Sequence, residues 1–155
     1  MSKTIHWHAN IQEILDENLT MMSGKKVQRC GREQPRYFQV DYYCETEGEF
    51  VDDPLPKHIV RPFEHLKERN IVEFKSIHQV LNEKIFREYV GRALLMESSE
   101  QEASSQGRLT LTILTTRRPK ALLAMKEYAI EPVNDWKYES DWIKDLSIYI
   151  LVQKQ

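Results

Sequence analysis

The chain has 155 residues, of which 41% are hydrophobic and 30% are charged, a composition that predicts one soluble domain with its own core. The formal net charge of −2 gives the protein no general attraction for nucleic acid, so such a contact would need a local basic patch. No segment is apolar and long enough for a secretory signal or a membrane span. We therefore expect a cytoplasmic protein with no membrane partner, in which Cys30 and Cys44 are free thiols.

Hydrophobic periodicity and turn residues predict the elements in chain order. They are a helix over 9–26, strands over 26–30 and 36–45, a loop over 48–58, an ambiguous segment over 58–69, a strand over 70–77, a long helix over 76–98, a polar loop over 98–107, a strand over 108–116, a short helix over 117–129 and a last strand over 146–152. Asn10 and Glu13 have the spacing of a capping box for the first helix, and Gly24 is a natural stop for it.

This order predicts one α/β or α+β domain over residues 1–155, with a mixed central sheet flanked by helices. The step from the strand over 70–77 through the long helix to the strand over 108–116 predicts a right-handed crossover between parallel strands. The chain ends soon after its last predicted strand, as a fragment of a longer protein would.

Three charged residues lie on predicted strands. Alternation places Asp41 in the middle of its strand on the face opposite to the apolar residues, and Glu73 and Lys75 together on the face opposite to Val72 and Phe74. If the two strands are neighbours, two carboxylates and one ammonium group converge. Carboxylate oxygens suit Mg²⁺, which keeps waters and takes phosphate oxygens as further ligands, and the lysine could orient a water or stabilise a phosphorane. The alternative is a cross-strand ion pair worth less than about 1 kcal/mol.

The stretches "NIVEFKS" and "FQVDYYC", together with the order of elements, resemble the PD-(D/E)XK nuclease superfamily over roughly Ile11 to Thr116. The later stretch "LTLTILTTRRPKALL" adds a resemblance to its transposase-associated, recombination-promoting branch. The resemblance implies a restriction-endonuclease-like α-β-β-β-α-β core. It also implies hydrolysis of DNA with Mg²⁺ or Mn²⁺ held by Asp41 and Glu73, and Lys75 as a catalytic residue.

The sequence departs from the superfamily pattern at its first acid, where Val40 replaces a proline and a long interval precedes Glu73. Asp52 or Asp53 could therefore serve in place of Asp41. The superfamily also implies that an acid of the first helix, Glu13 or Glu17, could bind the metal. Because the superfamily includes members without activity, a catalytically silent binding or assembly module, able to form a homo-oligomer, is the main alternative. An unrelated α+β domain with a surface ion pair is the third.

The densest basic stretch is "TTRRPK", in which Arg117, Arg118 and Lys120 lie between a strand end and a helix start. Such groups bind phosphate, so we expect them to contact DNA, and an exposed loop with scattered charge is the alternative. Further candidates have less specific signals. These are a zinc pair of His6 and His8, and substrate contacts by His78, Gln79 and Lys84.

Overall fold

The computed structural model describes residues 7–31, 40–49, 61–75, 78–100 and 108–153. Its elements are α1 (Trp7–Ser23), β1 (Lys25–Gly31), β2 (Tyr42–Glu49), β3 (Arg69–Lys75), α2 (Glu83–Glu100), β4 (Leu109–Thr115), α3 (Lys120–Leu123), a 3₁₀ turn (Lys126–Tyr128), β5 (Ile130–Pro132), β6 (Lys137–Ile143) and β7 (Leu146–Val152). The order α1-β1-β2-β3-α2-β4 agrees with the order predicted from the sequence.

Within the described residues, seven strands form one sheet, in the order β1-β2-β3-β4-β7-β6-β5. Strands β3, β4 and β7 are parallel to one another, whereas the pairs on either side of them are antiparallel. The predicted mixed sheet and the predicted parallel pairing of β3 with β4 are therefore confirmed. Strands β5 and β6 were not predicted. They form one side of the sheet next to β7.

Both faces of the sheet are covered near β3. On one face, Ile71 belongs to a core cluster with Phe86 and Val90 of α2. On the other face, Val72 packs with Leu15 of α1 and with Phe63 of the segment that leads into β3. The face that Glu73 and Lys75 were predicted to share, opposite to Val72 and Phe74, is not turned away from the core, because Ile71 and Glu73 on it are each 1% exposed. The reason is that α2 lies over this face, so the strand alternates between two buried environments instead of between core and solvent.

The ends of the helices follow from local hydrogen bonds. Helix α1 begins at Trp7, so Asn10 lies inside it and the predicted capping box at Asn10 is wrong. Gly24 does end α1, with φ of +69°, a conformation that favours glycine. Helix α2 begins at Glu83, seven residues later than predicted, because the Asn82 side chain accepts a hydrogen bond of 2.9 Å from the Ile85 amide and caps the helix there.

The helix predicted over 117–129 is shorter than expected. The structure has only the four residues of α3 and then the separate 3₁₀ turn, which ends at Ala129 with φ of 50°. No helix in the described ranges is both long and apolar enough to cross a membrane.

Neighbouring residues of α2 provide a test of how this helix packs. Met96 is fully buried, whereas Leu95 is 58% exposed. We expect Met96→Ala to lower the free energy of unfolding by about 2–4 kcal/mol, because it leaves a cavity in the core. The control Leu95→Ala should change it by less than about 0.5 kcal/mol. Urea denaturation of both variants measures the difference, and equal effects would contradict the packing of α2 on the sheet.

Candidate active site at the Asp41–Glu73 pair

Asp41 and Glu73 lie directly opposite each other. Tyr42 pairs with Val72 in the antiparallel ladder of β2 and β3, so the residue before Tyr42 faces the residue after Val72. The Asp41 amide donates a hydrogen bond of 2.8 Å to Glu73 Oε1, and the Phe74 amide donates one of 2.8 Å to Asp41 Oδ2. The prediction that Asp41 lies in mid-strand is wrong, because it precedes the first residue of β2. These two side-chain contacts take the place of ladder hydrogen bonds there.

Glu73 is a buried carboxylate with an unusual environment. Burial and, after it, the negative charge of Asp41 raise the pKa of Glu73 to about 7, against opposing effects of the Asp41 amide, Arg92 and Lys75. Its second oxygen, Oε2, is buried and has no hydrogen bond within the described residues. Arg92 Nη1 lies 3.2 Å from that oxygen. This is an ion pair by distance, but its direction is outside the range for a hydrogen bond.

Two residues of α2 complete the surroundings of this pair. Arg92 is half-buried, and its guanidinium carbon lies 5.1 Å from the centre of the Tyr89 ring. Burial, together with the charges of Glu73 and Asp41, raises the pKa of Tyr89, so it stays a neutral phenol. Sequence reasoning missed both residues. The available signal was their spacing of three on the helix that must cross back over β3, which puts them on one helical face.

Lys75 is the last residue of β3 and is half-exposed. It shares the face of Glu73, as predicted from the spacing of two, and its charge lowers the pKa of Glu73, which shows that the two groups are electrostatically coupled. The structure thus brings Asp41, Glu73 and Lys75 together, and it adds Arg92 and Tyr89.

The basic turn with Arg117, Arg118 and Lys120 follows the carboxyl end of β4, next to Lys75 at the carboxyl end of β3. Lys75 pairs with Thr115 in the parallel register of β3 and β4, and the chain leaves β4 directly into Arg117 and Arg118. Arg117 and Lys120 are exposed. Arg118 donates hydrogen bonds to the Tyr138 hydroxyl and to the Asp135 carbonyl oxygen, the latter of 2.8 Å. Arg118 is also exposed, but these two contacts engage its guanidinium in the fold of the turn.

Among the described residues, the other candidate carboxylate ligands do not join this site. Helix α1 packs on the Val72 face of the sheet, so Glu13 and Glu17, both exposed, are on the opposite side from Glu73 and do not supply the helix acid that the resemblance implied. Asp52, Asp53 and the side chains of His6 and His8 lie outside the described residues. His78 and Gln79 are exposed and precede α2, and Lys84 is exposed on its first turn.

The donor set of the pair suits a hard cation. Asp41 and Glu73, whose Oε2 is buried and has no hydrogen bond within the described residues, can supply two of the six ligands of Mg²⁺, the others being water and phosphate oxygens. Within the ranges that the structure describes, no group of three or more His, Cys, Asp or Glu residues is arranged to hold a metal. A metal at this pair would therefore need further ligands besides Asp41 and Glu73.

No protein-family model, no curated protein and no solved structure matches this chain.

The raised pKa of Glu73 predicts a specific dependence of stability on pH. The folded protein binds the carboxyl proton of Glu73 more tightly than the unfolded chain does. The contribution of Glu73 to the free energy of unfolding therefore falls as pH rises from 4.5 to about 7. Glu73→Gln has no group at this position that can titrate. Across this pH range its free energy of unfolding should therefore rise relative to that of wild type by up to about 3 kcal/mol.

Urea denaturation of both proteins at several pH values measures this difference. His65, whose pKa burial lowers, destabilises both proteins on acidification and cancels in the comparison. A difference that does not change with pH would show that Glu73 is ionised throughout and would contradict the described environment.

Proposed function

We propose that this protein is a metal-dependent nuclease-like domain that hydrolyses DNA phosphodiester bonds and has a restriction-endonuclease-like core. The single observation that carries the proposal is the Asp41–Glu73 pair, locked by reciprocal hydrogen bonds next to Lys75. Buried carboxylates with raised pKa values are costly and are found preferentially at functional sites. The order of strands and helices supports the fold proposal, since it agrees with the α-β-β-β-α-β core of the PD-(D/E)XK superfamily.

In this proposal each residue has a distinct role. Asp41 and Glu73 hold Mg²⁺ or Mn²⁺, and their hydrogen bonds to backbone amides fix the orientation of both carboxylates. Bound in this way, the ion would lower the pKa of a water and neutralise charge on a phosphoryl oxygen. Lys75 supplies a positive charge beside the reacting phosphate, where negative charge is greatest in the transition state. Arg117 and Lys120 contact phosphates of the backbone at the same edge of the sheet.

A catalytically silent binding or assembly module is the second candidate function. The observation that favours it is the ion pair of Arg92 with Glu73, which already neutralises the carboxylate without a metal. In this case the charges of Asp41, Glu73 and Arg92 only stabilise the fold. The exposed surface then binds a partner instead of a substrate.

Substitutions at the pair separate these two functions. We expect Glu73→Gln to lose Mn²⁺ binding and metal-dependent nicking of plasmid DNA together, because a neutral amide is a poor ligand for a hard cation. Lys75→Ala should bind Mn²⁺ nearly as well as wild type, because an ammonium group is not a ligand. Its nicking should fall by about 100-fold, the scale of losing one preorganised charge. Isothermal titration calorimetry and a nicking assay measure both properties.

The control for these variants is Glu131→Gln, which removes an exposed carboxylate on β5, at the far edge of the sheet. It should behave as wild type in both assays. Folded wild-type protein that shows neither Mn²⁺ binding nor nicking would eliminate the nuclease proposal and leave the silent module.

The basic turn predicts a salt dependence for DNA binding. The double variant Arg117→Ala/Lys120→Ala leaves Arg118 in its structural contacts. If both side chains contact phosphate, the slope of log K against log salt should become less steep by about 1.8. The control Lys26→Ala/Lys144→Ala removes two exposed lysines outside the turn. Fluorescence anisotropy with labelled DNA measures both slopes, and equal slopes would exclude the turn as a DNA contact.

A further inference from the structure

The contact between Arg92 and Glu73 joins a partly exposed group to a buried one. Glu73 is 1% exposed, belongs to the middle of the sheet and is held through Oε1 by the Asp41 amide. Arg92, by contrast, has a side chain that is 34% exposed. Its long aliphatic stem can carry the guanidinium out to solvent without unfolding any part of α2. The carboxylate therefore cannot leave this contact, but the guanidinium can.

The Arg92 guanidinium lies close to the position that a cation bound to Glu73 would occupy. A divalent ion held by Glu73 would lie about 2.1 Å from one of its oxygens, and Arg92 Nη1 is 3.2 Å from Oε2. A guanidinium and a divalent ion at such positions repel each other strongly in a water-poor site. Binding of the ion therefore requires Arg92 to move away from Glu73, so that the arginine and the metal compete for one carboxylate.

An anion close by would give the displaced arginine a new partner. The guanidinium is a planar fork of donors that binds phosphate in a bidentate manner. The buried Tyr89 ring also contacts this guanidinium, whose central carbon lies 5.1 Å from the ring centre. The phosphate that would be bound in the proposed function is placed next to the ion and thus within reach of this side chain.

We infer that Arg92 exchanges Glu73 for a phosphate of the nucleic-acid substrate, and that this exchange makes metal binding and substrate binding mutually favourable. The inference rests on the proposed function and names a substrate-binding residue for it. Without nucleic acid, the positive charge of Arg92 neutralises the Glu73 carboxylate and competes with the metal ion for it. With nucleic acid, the phosphate takes the guanidinium and Glu73 becomes available to the ion, so each ligand strengthens the binding of the other.

The test measures Mn²⁺ affinity by calorimetry with and without a short DNA duplex. In wild type, the duplex should strengthen Mn²⁺ binding by about tenfold, within the usual range for coupled sites. Without DNA, Arg92→Gln should bind Mn²⁺ about tenfold more tightly than wild type, because the competing charge is gone. Addition of the duplex should then strengthen its Mn²⁺ binding clearly less than in wild type, because only direct coordination of the ion by phosphate remains. Glutamine is a good helix former, so α2 should persist in this variant.

Arg87→Gln is the matched control, since Arg87 is exposed on the same helix. It should show the wild-type Mn²⁺ affinity and the wild-type effect of DNA. If wild type binds Mn²⁺ and nicks DNA but Arg92→Gln has an unchanged affinity or an unchanged effect of DNA, the exchange is wrong and the nuclease proposal stands. If neither wild type nor Arg92→Gln binds Mn²⁺, the metal site and the exchange are both wrong.

Discussion

The carboxylate of Glu73 is buried between the sheet and α2, and the proposed site depends on how its charge is compensated there. Moving a charged group out of water is costly unless it is paired or hydrogen-bonded. For Glu73 this cost is offset by the hydrogen bond from the Asp41 amide and by the ion pair with Arg92. Its raised pKa also favours the protonated, uncharged form. The cost also explains the conformation of Asp41, which leaves the ladder so that its amide and its carboxylate can both bind to the opposite strand.

The parallel centre of the sheet sets what lies around this pair. Because β3, β4 and β7 run in one direction, their carboxyl ends share one edge, where ligand sites of α/β proteins are common. Lys75 is at that edge, and the turn with Arg117 and Lys120 begins beside it. A chain with a net charge of −2 thus has local positive charge next to a negative pair, which is the distribution that a phosphodiester and a metal ion would need together.

Strong local patterns made much of the fold predictable from the sequence. The apolar periodicity of α1 and the alternation of β4 are local properties, and Gly24 marked a helix end because only a residue tolerant of positive φ fits there. The strands β5 and β6 were missed because β6 carries Lys137, Glu139 and Asp141 in alternation. Tyr138 and Trp142 alternate with them but are separated by Ser140, so the hydrophobic signal is weak, although Lys137 is buried against the Tyr149 ring.

The candidate site was only partly predictable, for a different reason. The spacing of Glu73 and Lys75 shows that they share a face, but it cannot show whether that face is open or covered. Arg92 reaches Glu73 through the packing of α2 on the sheet, a long-range property that its spacing from Tyr89 on the helix does not reveal by itself. Asp41 was found by alternation although it lies outside the strand. The strand register, which is set by contacts such as Tyr42 with Val72, decides that it faces Glu73.

Anomalous diffraction from crystals soaked in Mn²⁺ would locate an ion bound at the Asp41–Glu73 pair. We expect a peak at about 2.1 Å from a carboxylate oxygen of Glu73 and from one of Asp41, with the Arg92 guanidinium moved away from Oε2. The absence of a peak at this pair in crystals that diffract well, with Arg92 still beside Glu73, would contradict the proposed metal site.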